Sequence, residues 1–282
     1  MTDLRALELR WRARAETLRP DRQLAGLAST FQGQRALEIG GPSALFRLGG
    51  RFPLYPELAA LDAANYAQTT IWDESEGWDR SPTSSFVLEA GNLDVIGDAS
   101  YDVVLASHVI EHLANPLGAL REWARVLRPD GRLVLVAPHR EGTFDRRRPV
   151  TTLAHLRADE QARTPETDLT HLPEILDLHD LGRDPLAGDR EAFAARSRDN
   201  AVHRALHHHV FDTRSLMDAV EAVGFYVTSL ACRRPYHVFV TASKDVEARM
   251  PAAEREAALC SSPFRQDRRR RGRQAWPAGG SL

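Results

Sequence analysis

Two apolar runs, YDVVLAS (101–107) and RLVLVAP (132–138), flank a stretch of helical periodicity, NPLGALREWARVL (115–127). That arrangement constrains the fold more than any other part of the chain. A strand without polar alternation is covered on both faces, which is the condition of a strand inside a parallel sheet. Asn115 suits the cap of the intervening helix and Pro116 its first turn, and RPDG then turns the chain into the second run. Upstream, RALEIG (35–40), ELAALDA (57–63) and SSFVLEA (84–90) read as three more short strands. Downstream, DTRSLMDAVEAVGF (212–225) reads as a helix capped by Asp212 or Thr213 and closed by Gly224, followed by the strands YVTSLAC and HVFVTAS. Strands alternating with helices in this way predict an α/β fold built on a mainly parallel sheet.

The alternation is interrupted once. Residues 139–205 are polar, charged and dotted with Pro and Gly, too long for a simple connection, and are expected to form an inserted cap with a short helix near 171–181. Residues 1–34 are expected to be a helical segment, 35–243 the main domain, and 244–282 a disordered arginine-rich tail. A net charge of −2 gives no global electrostatic case for a nucleic-acid or membrane partner. The charged N-terminus lacks the apolar core of a secretory signal, no run approaches the ~20 apolar residues of a membrane span, and Cys232 and Cys260 lie far apart. These features lead to the expectation of a cytoplasmic protein in a reducing compartment.

The first strand runs into EIGGPS, half of a glycine loop: Gly40 and Gly41 are followed by Pro42 and Ser43 where a dinucleotide loop would continue with glycine. Each of the first three expected strands carries an acid at or near its end, Glu38, Asp62 and Glu89. Parallel sheets bind ligands at the carboxyl ends of their strands, so three acids there suit a ligand rich in hydroxyls and amines. A loop without further glycines suits a nucleoside that has no pyrophosphate to cradle.

EIGGPS, Asp62, EAGNL and DASYDVVLASHVIEHLANPLGALREWARVLRPDGRLVLVAP closely resemble the class I S-adenosylmethionine-dependent methyltransferases, over residues 35–140 and again over 206–243. The resemblance implies a Rossmann-like, doubly wound sheet of seven strands with the last antiparallel, and S-adenosyl-L-methionine as cofactor. It maps the methionine part of the cofactor to Glu38, Gly40, Gly41 and Ser43, and the ribose to Asp62. Adenine maps to Glu89, Ala90, Asn92 and Leu93, with Ser107 at the end of the fourth strand. The sequence departs from the family at GGPS, where GxGxG is common.

Catalytic candidates must stand after the fourth strand, where SHVIEHL offers His108, Glu111 and His112, on one face if a helical turn begins at 108. A second group, His207–His209 in LHHHVF, precedes the late helix. His108, Glu111, His112 and His209 fit either a divalent-metal set or a histidine proton acceptor. The segment is similar to the ExxEH metal segment of small-RNA 2′-O-methyltransferases and ubiquinone-pathway O-methyltransferases, with His108 in place of the first glutamate. Arg146–Arg148 could recognise an anionic acceptor through forked hydrogen bonds. The function expected is methyl transfer to an oxygen or nitrogen of a small polar acceptor, such as a sugar or specialised metabolite. The alternatives are a metal-assisted RNA 2′-O-methyltransferase and a non-catalytic binding module.

Overall fold

The computed structural model describes residues 19–68, 82–184 and 187–269. Seven strands form one sheet: β1 Arg35–Ile39, β2 Ala60–Asn65, β3 Ser84–Val87, β4 Tyr101–Ser107, β5 Leu127–Pro138, β6 Tyr226–Arg233 and β7 His237–Ser243. Their order is β3-β2-β1-β4-β5-β7-β6. The first five are parallel, and β7 lies antiparallel between β5 and β6.

The uniformly apolar strands are explained by burial on both faces. One face sets Leu37, Ile39, Val104, Ala106, Leu133 and Leu135 against helices α2 (Pro116–Val126) and α7 (Thr213–Ala222). The other face sets Ala36, Val103, Leu105, Val134 and Val136 against α1 (Arg22–Ala28) and the loop after β1. Successive side chains on a strand point to opposite faces, so each run must be apolar throughout. The caps form as the sequence implies: Asn115 Oδ1 accepts from Gly118 N at 3.0 Å, Asp212 and Ser215 form a capping box, and Gly224 has φ +93°.

Residues 40–54 contain no helix. In its place an aromatic loop fills the space under β1, with edge-on ring pairs Phe31–Phe52, Phe46–Phe52 and Phe52–Phe239 at 6.1–6.3 Å. Such pairs add about 0.5–1.5 kcal/mol each beyond their area.

Between β5 and α7 the chain passes through α3 (Leu153–Ala162), α4 (Leu172–Leu178), α5 (Arg190–Arg198) and α6 (Asn200–His203). Ile175, Phe193 and Leu206 give this insert a small core of its own. Much of the helical segment expected over 1–34 lies outside the described residues. The reading of everything after 244 as a tail fails through residue 269: α8 (Ala252–Ser261) and α9 (Arg265–Arg269) are ordered. Asp267 is buried and accepts from Ser262 Oγ at 2.5 Å and Thr213 Oγ1 at 2.7 Å, and Phe264 stacks on His139 at 4.0 Å. Local charge density suggested solvation, but Thr213 and His139, which hold this segment, lie far away in sequence. Among the described residues no helix is long and apolar enough to cross a membrane.

A Cβ on Gly41 would lie 2.1 Å from Glu38 Cδ, whereas one on Gly26 in α1 would meet nothing within 4 Å. Gly41→Ala should therefore lower stability to urea by about 1–3 kcal/mol, and Gly26→Ala should raise it by about 0.5–1 kcal/mol. Equal effects of the two changes would refute the close approach.

Candidate active site

The loop after β1 is held by one buried carboxylate. Glu38 is fully buried; its Oε1 accepts from Ser43 N at 3.0 Å and its Oε2 from Tyr55 Oη at 2.7 Å. Burial pushes its carboxyl up to about 7, against the opposing pull of the Tyr55 and Ser43 hydrogen bonds. Gly40, at φ +70°, and Gly41 wrap over it, and Ser43 Oγ bonds Ser107 Oγ at 3.1 Å. Glu38 thus shapes the loop from beneath, and Ser43 and Ser107 are its polar surface.

The strand-end acids are distributed otherwise than the sequence suggests. β2 runs to Asn65, so Asp62 stands mid-strand opposite Leu37. Its Oδ2 takes Arg35 Nη2 at 2.8 Å and Tyr101 Oη at 2.9 Å, both from first residues of their strands. Asp62 therefore faces the amino edge of the sheet, away from the loop that was to share a ligand with it. The residue at the carboxyl end of β2 is Asn65, whose Nδ2 donates to Gly41 O at 2.7 Å. Glu89 lies two residues past β3 and is half exposed, and Arg204 of the insert binds it at 2.6 Å. Arg204 also reaches Glu166 at 3.1 Å and lies 5.6 Å over the Tyr66 ring. Ala90, Asn92 and Leu93 form the turn below Glu89: Ala90 O accepts from Trp123 Nε1, Asn92 N donates to Glu89 O, and Leu93 is buried.

After β4 the chain turns sharply. His108 takes the left-handed conformation, φ +55°, sparsely populated for a histidine and costing of order 1–3 kcal/mol. A single 3₁₀ turn, Ile110–His112, follows. His108 Nδ1 lies 3.5 Å from Glu111 Oε1, and His108 Nε2 lies 2.9 Å from His237 Nδ1. His112 Nδ1 donates to Leu206 O at 2.9 Å, which leaves Nε2 as the lone-pair nitrogen, 3.8 Å from Glu111 Oε1. The His207 ring lies 4.7 Å from that of His112, and its Nδ1 binds Asp145 Oδ2 at 2.5 Å. Glu111, His112 and His207 offer atoms all within 4.8 Å of one another.

The charges of this group differ residue by residue. Burial, with His207 beside it, pushes His112 down to about 4, so it is neutral near pH 7. Burial alone would lower His207 as well, but the Asp145 carboxylate raises it overall. Burial would raise Glu111, but the hydrogen bond from His108 and the neighbouring imidazoles bring it below its usual value. An ionised carboxylate, with Oε2 buried and unpaired, thus faces an imidazole lone pair. Two electron-rich groups so arranged suit a shared proton or a small cation.

His209, expected in this group, is elsewhere. Its backbone N donates to Glu111 O at 3.1 Å, but its ring joins His155 and His171. His207 takes its place, and the chain bends just after it, at His208 and His209. Arg148 is fully buried: it binds Asp145, Glu174 and the carbonyls of His207 and His208, so it is unavailable to an acceptor. Arg146 and Arg147 do reach a broad cavity of about 1250 Å³ lined by seven arginines, with Glu141 the one carboxylate of its lining. It opens beyond β5 and the β6–β7 turn, where Pro235 and Gly142 border it; Tyr236, the residue after Pro235, packs edge-on against the His108 ring at 5.5 Å. Asn65, Asp145, His237 and Arg204 escaped the sequence reading; the register of β2 alone could have pointed to Asn65.

Two outcomes test these assignments. Asp62→Ala should cost about 1–3 kcal/mol of stability by stranding Tyr101 Oη while leaving affinity for S-adenosylhomocysteine little changed. Asn65→Leu should weaken that affinity up to roughly tenfold; calorimetric titration giving the reverse order would return the ribose role to Asp62. Glu38 is the pH probe. Its folded value, about 7, lies above its unfolded 4.5. The stability it contributes is full below pH 4.5 and is lost as pH rises to about 7. Glu38→Gln should flatten that part of the stability–pH curve, and an unchanged slope in urea titrations would refute the assignment.

Comparison with known proteins gives the family. A family model described as a methyltransferase domain matches residues 10–230. No match among curated proteins reaches significance. Similar solved structures include the 1,6-didemethyltoxoflavin-N1-methyltransferase of Burkholderia thailandensis, solved with 1,6-didemethyltoxoflavin and S-adenosylhomocysteine. It is 13% identical over 79% of this chain and 78% of that one, with a TM-score of 0.46. A methyltransferase of Haloferax volcanii in complex with the activator Trm112 is 12% identical over 78% and 88%, with a TM-score of 0.45. An S-adenosylmethionine-dependent methyltransferase of Aquifex aeolicus is 13% identical over 81% and 92%, with a TM-score of 0.43. None of these likenesses bears on the substrate. The sheet order 3-2-1-4-5-7-6 and a family match over most of the chain's length lead to one conclusion: the chain belongs to the methyltransferase-domain family, as a class I S-adenosylmethionine-dependent methyltransferase.

Proposed function

We propose that the chain transfers a methyl group to an oxygen or nitrogen of a small polar acceptor that carries an anionic group, such as a phosphorylated sugar or an acidic specialised metabolite. The observation that carries this reading is the arginine-lined cavity, bordered by Pro235, whose neighbour Tyr236 packs on His108 after β4. Phosphate and carboxylate are the groups that clustered guanidinium forks bind best. Bound S-adenosylmethionine supplies an electrophilic methyl on its sulfonium. Ser43, Asn65, Glu89 and Ser107 are the polar groups at the carboxyl edge that suit its contacts, and the insert would act as a cap closing over it through Arg204. Of the histidines, His112 is the one placed to accept the proton: its tautomer is fixed by Leu206 O, and Glu111 beside it would stabilise the imidazolium that forms.

A second reading is favoured by one observation, the convergence of Glu111, His112 and His207. The set fits a divalent ion, since Leu206 O and Asp145 hold the two Nδ1 atoms and so orient both rings. Metal-assisted methylation of a ribose 2′-hydroxyl in RNA would then be the reaction.

The test is release of S-adenosylhomocysteine with matched acceptors bearing and lacking a phosphate or carboxylate, and with RNA. The anionic members should react, and Arg147→Ala should raise their KM alone. His112→Ala should lower kcat by about 10²–10⁴-fold with the KM for S-adenosylmethionine unchanged. Turnover of RNA lost on chelation would favour the second reading. Cofactor binding without turnover of any acceptor would mark a non-catalytic module.

A further inference from the structure

The histidines of the insert outside the active site also converge. His155 and Asp159 are spaced i, i+4 on α3 and so share one face. His171 immediately precedes α4, and His209 follows the insert. His155 Nε2 lies 2.9 Å from His171 Nε2 and 3.3 Å from Asp159 Oδ2, and His209 Nε2 lies 3.8 Å from Asp159 Oδ2. His155, His171 and His209 offer nitrogens all within 4.8 Å of one another. Ligands at ~2.0–2.1 Å from a tetrahedral zinc ion stand ~3.3 Å apart, so the three imidazoles need little movement to surround one, with Asp159 beside His155 and His209 to complete the set.

Three further details match a metal shell. Asp159 Oδ1 accepts from Thr164 Oγ1 at 3.2 Å, while Oδ2 is buried and has no hydrogen-bond partner. His209 is wholly buried, and its Nε2 donates to Ala114 O at 3.3 Å, which leaves Nδ1 as the lone-pair nitrogen, also buried and without a partner. To ligate, the ring either gives up Ala114 O at the Nε2 that stands 3.8 Å from Asp159 Oδ2, or turns to bring Nδ1 to the ion and keeps the carbonyl bond that commonly orients a ligating imidazole. His171 Nδ1 is likewise buried without a partner, and Asp168 and His208 lie within 4.8 Å of that side chain.

We propose that His155, Asp159, His171 and His209 form a structural zinc site that fastens the inserted segment to the strand of chain beside Glu111. Three imidazoles and one carboxylate in a four-cornered arrangement suit zinc(II) better than magnesium or calcium, which prefer six or more oxygens. All four positions are filled by protein, so the ion has no open coordination place and does no chemistry. Its effect is mechanical: α3 and the start of α4 are tied to His209, whose backbone N bonds Glu111 O.

The test uses the full chain without an affinity tag, dialysed against metal-free buffer after purification in the presence of zinc. Elemental analysis should find about one zinc per chain, and cobalt substitution should give the strong visible bands of a tetrahedral N/O site. His155→Ala and Asp159→Asn should each weaken zinc binding by more than the roughly 10–100-fold that a supporting residue costs. His155 is an exposed residue, so its variant should keep the native circular dichroism. Glu111→Gln, in the other set, should leave zinc affinity unchanged. Chelation should lower the melting temperature and open residues 163–170 to protease in the wild type but not in His155→Ala. Wild-type protein that holds no zinc, or zinc that survives both ligand variants and is lost in Glu111→Gln, would overturn the proposal.

Discussion

A guanidinium with a side chain 1% exposed cannot be left unpaired, and much of the site follows from how Arg148 meets that demand. Its Nη1 takes Asp145 at 3.0 Å and His207 O at 2.7 Å, its Nη2 takes His208 O at 3.2 Å, and its Nε takes Glu174 at 2.8 Å. Two of these partners are backbone carbonyls in the histidine triplet, so the charge bends the chain there. One is the carboxylate that orients His207, and one lies on α4 of the insert. The position of the insert, the direction of the triplet and the protonation of His207 are thus one electrostatic problem with one solution. Severing any single contact leaves a buried ion short of partners, so the group resists piecemeal change.

The strands and helix caps were legible because two-sided burial and orphaned backbone donors write themselves into local residue types: uniform apolar runs for β4 and β5, Asn115-Pro116 and Asp212 at helix starts. Where the sequence misled, the deciding partner was distant. ELAALDAAN contains no residue that marks a strand end, so only pairing with β1 fixes the register that turns Asp62 toward Arg35 and Tyr101 and brings Asn65 to the edge. HHH is degenerate by composition, and the choice of His207 over His209 is made by Arg148 and Asp145, some 60 positions away. The run Arg146–Arg148 reads as one patch, yet its third member is interior while the first two line a cavity. Charge-rich sequence after 244 hides Asp267, whose burial depends on Thr213 and His139.

The histidines form a connected belt rather than a set of isolated rings. His237, His108, Glu111, His112, His207 and Asp145 follow one another from β7 across the end of β4 to the insert, each within contact distance of the next. Burial lowers His112 while a carboxylate raises His207, so neighbouring rings of like chemistry hold different charges at the same pH. Their separate environments, not their residue type, assign them different work.

The loop after β1 has one more effect, a matter of sign. A helix beginning there would aim about half a positive charge at whatever lies above the strand ends, which welcomes phosphates. Residues 40–54 hold no helix among the described residues, and the polar atoms they present include the carbonyl of Gly41 and the hydroxyl of Ser43. Oxygen dipoles of this kind are hospitable to a cation. A sulfonium centre placed over such a loop would keep its positive charge unopposed by the backbone, so a loop packed on aromatics in place of a helix would favour cationic over anionic guests.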